Sequence, residues 1–123
     1  MILKIFKPFL IVIPLIIMGC TITPQIVIDR VNEEMSGVCA NLFLSGAYQE
    51  ASDGFMKSAF VVSRDENDII NVCNYSTAGA IYSESSVVNS ALAGCEERRL
   101  NFMRVYEKPL KSCEVYAIGN DIK

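Results

Sequence analysis

The sequence predicts a single α+β domain, a small antiparallel sheet with one or two packed helices and two disulfides. Three observations lead there. Two runs rich in strand-forming residues, Lys57–Ser63 and Ile69–Tyr75, flank a short polar stretch, which is the pattern of a hairpin. Apolar residues at helical spacing stand before and after that hairpin. Four cysteines, Cys39, Cys73, Cys95 and Cys113, lie beyond an apolar leader. An even set in an exported chain reads as disulfides.

The elements follow in chain order. Val27, Val31, Met35, Val38 and Leu42 recur at steps of three or four, and predict a helix over about 28–48. Asp29, Glu33 and Glu34 load its first turns with acid, which suits the positive end of the helix dipole. Ser52-Asp53-Gly54 marks a turn. The strand Lys57–Ser63 centres on Ala59-Phe60-Val61-Val62. Arg64-Asp65-Glu66-Asn67-Asp68 is its polar loop, and Ile69–Tyr75 its partner. Thr77-Ala78-Gly79 breaks the pattern, and Ala80-Ile81-Tyr82 is a candidate third strand. A second helix begins at a Ser83 or Ser85 cap, shows Val87, Val88, Ala91, Leu92 and Cys95 on one face, and runs to about Arg99. Arg98 and Arg99 fall in its last turn, where cations are favoured. Leu100–Ser112 reads as a loop, Cys113–Ile118 as a period-two strand, and Gly119-Asn120-Asp121 as a turn.

The first nineteen residues have a different character. Fourteen are apolar, none is acidic, and Lys4 and Lys7 give a positive start. This is the layout of a secretory signal peptide. Pro8 and Pro14 interrupt a run shorter than the roughly 20 residues that a spanning helix needs. The closing Ile17-Met18-Gly19-Cys20 resembles the lipobox of bacterial lipoproteins. Ile17 stands where that box favours Leu, and Met18 is larger than usual. The resemblance implies lipid attachment at Cys20, loss of residues 1–19, and a short tether over 20–26 before a domain spanning 27–123. One acyl chain anchors only marginally; the three that the resemblance implies would hold the protein at the membrane. Thr21 in place of Asp favours the outer membrane, facing the periplasm, over the inner membrane.

Without residues 1–19 the chain keeps 104 residues, enough for one domain with a thin core. Nine basic residues then face fourteen acidic ones, a net charge of −5, which argues against a nucleic-acid binder. The four cysteines allow three pairings, and spacing alone does not choose among them. With no C-x-x-C and no histidine, a thioredoxin-like motif, a zinc site and a histidine-based triad are all disfavoured. The seven glycines are scattered and make no phosphate loop. No cofactor is expected.

From about Ala59 to Ile118 the chain resembles small uncharacterised modules of exported bacterial proteins. The residues that carry the likeness are Ala59-Phe60-Val61-Val62, Ala91-Leu92-Ala93-Gly94-Cys95 and Cys113-Glu114-Val115-Tyr116-Ala117. The resemblance implies that Cys95 and Cys113 pair, clipping the helix end to the last strand. The favoured set is therefore Cys95–Cys113 with Cys39–Cys73. It implies no activity.

Two features compete as functional sites. Glu33-Glu34, Asp65-Glu66-Asp68 and Glu96-Glu97 are carboxylate sets suited in kind to acid–base hydrolysis. A helix start, a hairpin loop and a solvated helix face account for them more simply. The stretch Arg98–Lys111 places Arg98, Arg99, Arg104, Lys108 and Lys111 beside Phe102 and Tyr106. Arginine mixed with aromatic residues is the make-up of protein-interface hot spots. A segment folded back on the domain, its cations solvated, is the simpler alternative. The expected function is a non-enzymatic envelope protein with a structural or partner-binding role, its partner an envelope protein, peptidoglycan or an anionic lipid head group. An inhibitor or immunity-type lipoprotein presenting Asp65-Glu66-Asn67-Asp68 to an envelope-attacking enzyme is the alternative.

Overall fold

Lys57–Arg64 (β1) is the hub of the molecule, with Ser58–Ser63 all buried. A strand buried on six successive positions must be covered on both faces, and this one is. The computed structural model describes residues 25–35, 37–44, 46–54 and 56–123; the leader, Cys20 and residues 20–24 of the expected tether lie outside them. β1 pairs antiparallel with Ile70–Ala78 (β2) on one side and with Glu114–Ile118 (β3) on the other. Asp121–Ile122 (β4) adds a short outer rung to β3. The sheet order is β2-β1-β3-β4. Gly119, at φ 58°, takes the left-handed conformation that the tight β3–β4 turn requires.

The single helix expected over 28–48 is instead three: Gln25–Glu34 (α1), Gly37–Leu44 (α2) and Ala47–Asp53 (α3). The first therefore starts within the stretch expected as tether. Met35 leaves the helical path to form a parallel bridge with Ile70. Gly46, at φ 72°, makes the second break. The apolar stripe is still buried, but by a chain that bends around the sheet. Val31, Met35, Cys39, Ala40, Phe43 and Tyr48 pack on Phe60, Val62, Ile70, Cys73, Tyr116 and Ala117. Phe43 is the centre of that core, its ring 5.2–5.5 Å from those of Tyr48, Phe60 and Tyr116 in tilted or edge-on contact.

The opposite face carries one long helix, Glu84–Tyr106 (α4). Ser83 caps it by accepting from the Ser86 N–H at 3.1 Å. It continues seven residues past Arg99, so the expected loop over Leu100–Tyr106 is helical and Arg98 and Arg99 are not in the last turn. The chain leaves the helix at Glu107, φ 51°, just ahead of Pro109. The third strand proposed for Ala80-Ile81-Tyr82 is a turn, with the Tyr82 N–H bonded to the Gly79 carbonyl and Ile81 92 % exposed. Val87, Ala91 and Cys95 of α4 pack against Ala59, Val61, Val72 and Leu110.

Helices thus cover both faces of the sheet. Each helical layer is bound to the sheet by one disulfide. Cys39–Cys73 ties α2 to β2, and Cys95–Cys113 ties α4 to the residue before β3, with Cα atoms 6.0 and 6.2 Å apart. This is the α+β class and the pairing that the sequence predicts.

Candidate functional site

The five cations of Arg98–Lys111 do not form one positive patch, because the fold gives each an internal partner. Arg98 donates from Nη1 to the Cys73 carbonyl at 3.3 Å. Arg99 lies against the helix, paired with Glu96 Oε2 at 2.6 Å and donating to the Leu110 carbonyl at 3.3 Å. Arg104 bonds Asn101 Oδ1 one turn back. Lys108 and Lys111 reach across to the hairpin loop, pairing with Asp65 at 3.1 Å and Asp68 at 2.6 Å. Of the five, Arg99 is an internal tie, Lys108 and Lys111 neutralise a turn, and Arg98 and Arg104 are exposed and bonded to amide oxygens rather than carboxylates.

That turn is built around Asp65, itself buried. One Asp65 oxygen accepts from the Asn67 and Ile69 N–H groups at 2.9 and 3.0 Å, and the other from Asn71 at 2.9 Å. Asn71 and the Lys108 ammonium hold its carboxyl far below the usual range. Asp68, at φ 63°, is likewise lowered, chiefly by Lys111. Two of the other acids considered for acid–base chemistry, Glu34 and Glu96, also have partners. Glu34 sits 3.5 Å from Arg30 and 3.7 Å from Arg64. Glu96 accepts from the Cys113 N–H and pairs with Arg99. Glu97 is exposed on α4. Among the described residues no three His, Cys, Asp or Glu side chains are grouped to hold a metal ion.

A buried pair on the α1 side is legible only in the structure. The Tyr116 hydroxyl and Glu34 Oε2 are both buried without a well-formed hydrogen bond. They are nonetheless close enough to interact: burial first, and then the Glu34 carboxylate, push the tyrosine up to about 12.

The apolar members of the Arg98–Lys111 stretch have a clearer role. Phe102 and Tyr106, one turn apart, bring their rings to 4.6 Å. With Val105 they form one wall of a cleft of about 440 Å3 whose other wall is Val38 and Leu42 of α2. Its floor is Asn71, Val72 and Cys73 of β2, and Arg98 and Asn101 stand at its polar end. Val38 is 73 %, Val105 59 % and Tyr106 67 % exposed. Of the residues expected at a contact surface, Arg98, Phe102 and Tyr106 meet here, whereas Arg99, Arg104, Lys108 and Lys111 do not line the cleft. Val38 and Leu42 were legible only as part of a helical stripe, and nothing in the spacing separates the exposed Val38 from its buried neighbours. Asn71 and Asn101 carry no sequence signal.

No family model matches the chain, and no curated protein and no solved structure matches it. Among the described residues no helix is long and apolar enough to cross a membrane.

Proposed function

We propose that this is a small lipid-anchored envelope protein with a non-enzymatic role, which holds an apolar segment of another envelope protein in the cleft between α2 and α4. One observation carries the reading. Val38, Val105 and Tyr106 are largely exposed around a single cleft. Grouped exposed apolar side chains, an aromatic pair and an arginine at the rim are the composition of an interface centre. The lipobox-like Ile17–Cys20 supplies the attachment, at the outer membrane facing the periplasm. The hairpin turn is less suited to the inhibitor reading, because Asp65 and Asp68 are already paired with Lys108 and Lys111.

The test has two arms. The full chain is produced in bacteria with a photo-crosslinking amino acid in place of Tyr106 or Val38. Both positions are expected to trap the same envelope protein, and Phe102→Ala is expected to abolish the adduct. Recovery of the uncrosslinked chain alone from both positions would remove the binding role. Labelled fatty acid is expected to enter the wild-type chain and not Cys20→Ser; equal labelling of the two would remove the anchor.

A further inference from the structure

β2 is an edge strand whose one bulge, at Asn71, leaves its second half without the usual protection. Natural edges are blunted by lysine, proline, bulges or a covering segment. The nine residues Ile70–Ala78 contain no charge and no proline. Among the described residues only Met35 pairs with the outer side of β2, and only at Ile70. The Cys73 carbonyl points outward, since it receives Arg98 from outside the sheet. In an antiparallel ladder alternate residues turn both backbone groups to the same side, so Tyr75 and Thr77 also present theirs outward. Arg98 already occupies the Cys73 carbonyl, so the open edge runs from Tyr75 to Ala78.

We infer that this edge pairs antiparallel with the same edge of a second copy, about a two-fold axis near Tyr75. Three observations favour a second copy as the occupant. The first is the placement of α4, which packs across both β1 and β2. Strands lie about 4.8 Å apart, so a helix over the β1–β2 midline lies about 10 Å from its two-fold mate, within reach of ordinary helix packing. The second is the surface that would then meet itself. On α4 the side nearest Asn74 carries Gly94, with Glu97, Arg98 and Asn101 further along, and exposed Ser90 one turn before. Small and uncharged residues stand at the centre, and one acid and one base lie off it, so identical faces do not repel. The third is where large apolar side chains are left bare. Ile69 is 41 % exposed just before the strand, and Ile81 92 % and Tyr82 54 % exposed just after it. Tyr75 is midway between Ile69 and Ile81. Pairing about Tyr75 sets the Ile81 end of each strand beside the Ile69 end of the other, covering all three. The copy's Thr77 and Ala78 then lie against Cys73 and Val72 on the floor of the α2–α4 cleft, so the dimer and a segment held in that cleft exclude one another.

The experiment is sedimentation of the full chain in density-matched non-ionic detergent over a range of concentrations, with amide exchange read at Cys73, Tyr75 and Thr77. The expected result is a monomer–dimer equilibrium in which the Tyr75 and Thr77 amides become protected as the dimer forms. A lysine placed at the edge in Thr77→Lys, or on the helix in Ser90→Lys, meets its own symmetry mate and is expected to weaken the dimer by about tenfold or more. Asp121→Ala, in β4 at the opposite edge of the sheet, is expected to leave it unchanged. A chain monomeric at every concentration overturns the inference. So does a dimer indifferent to both lysine variants, or a monomer whose Tyr75 and Thr77 amides are already protected, which would mean that the edge is covered within one chain.

Discussion

Glu96 on α4 accepts the backbone N–H of Cys113 at 2.7 Å through Oε1, while its Oε2 pairs with Arg99 at 2.6 Å. The residue beside one half-cystine thus holds the backbone of the other, and both bonds draw the Glu96 carboxyl below its ordinary range, the Cys113 amide first. Glu96→Ala leaves that amide and Arg99 without their acceptor. Because the side chain is a third exposed, the expected loss is roughly 1 kcal/mol, below the full value of a charged hydrogen bond. Urea unfolding at neutral pH measures it, and a midpoint equal to wild type would deny Glu96 this role.

Acid should unfold the protein largely through Asp65. Its folded-state carboxyl titrates far below the unfolded one, as do those of Asp68 and Glu96 to a lesser degree. The stability that such groups supply is complete above the unfolded value, near pH 4. It drains as pH falls through the depressed folded values. Asp65→Asn is expected to lower stability at pH 7 and to flatten the decline between about pH 5 and pH 2. Urea midpoints followed across that range should show the two curves converging at low pH. Parallel curves would assign the acid sensitivity elsewhere.

Gly94 is fixed by a neighbour, not by its own backbone angle. A Cβ there would lie 2.3 Å from Asn74 Nδ2, which donates to the Ala91 carbonyl at 3.0 Å. Gly94→Ala should gain up to about 1 kcal/mol of helix propensity. Displacing Asn74 should cost more, for a net loss of roughly 1–2 kcal/mol. In an Asn74→Ala background the same substitution is expected to stabilise. A double-mutant cycle by thermal unfolding decides it: additive effects would mean that the two positions do not touch.

Removing either disulfide as a pair of Cys→Ala changes should cost about 3–4 kcal/mol on chain-entropy grounds. Cys39–Cys73 closes the larger loop, with separation 34 against 18, and its loss should cost slightly more. Unfolding of the two double variants compares them directly. A Cys39→Ala/Cys73→Ala protein as stable as wild type would show that burial alone holds α2 on the sheet.

Much of this architecture can be read from the chain, and the misreadings have physical causes. Ala59-Phe60-Val61-Val62 reads as a strand from its strand-forming residues, and the structure makes it one, buried on both faces. The helix at 84–106 is read short, because Arg98 and Arg99 imitate last-turn cations and no glycine marks the true end. Pro109 is the first real breaker, and Glu107 turns the chain without help from a glycine. The bend at Met35 is invisible in the 27–42 stripe, since it is made by a pairing with Ile70 far along the chain. The candidate site was misread for the same reason. Lys108 and Lys111 look like free charges until the hairpin loop some forty residues earlier is brought beside them. Phe102 and Tyr106 were legible as a contact pair, but the α2 wall opposite them was not.

Beyond Cys20, the two covalent links join the four remaining cysteines in the order in which they occur, Cys39 with Cys73 and Cys95 with Cys113. For a chain threaded N-terminus first into an oxidising space, with Cys20 taken by lipid, the first two thiols to arrive together are already the correct couple. They can close before the second pair has emerged. Interleaved partners would require an early wrong link to be broken and remade, a process of seconds to hours that depends on an isomerase. This chain's connectivity lets arrival order do the sorting, so it can mature where oxidant is plentiful and shuffling catalysts are scarce.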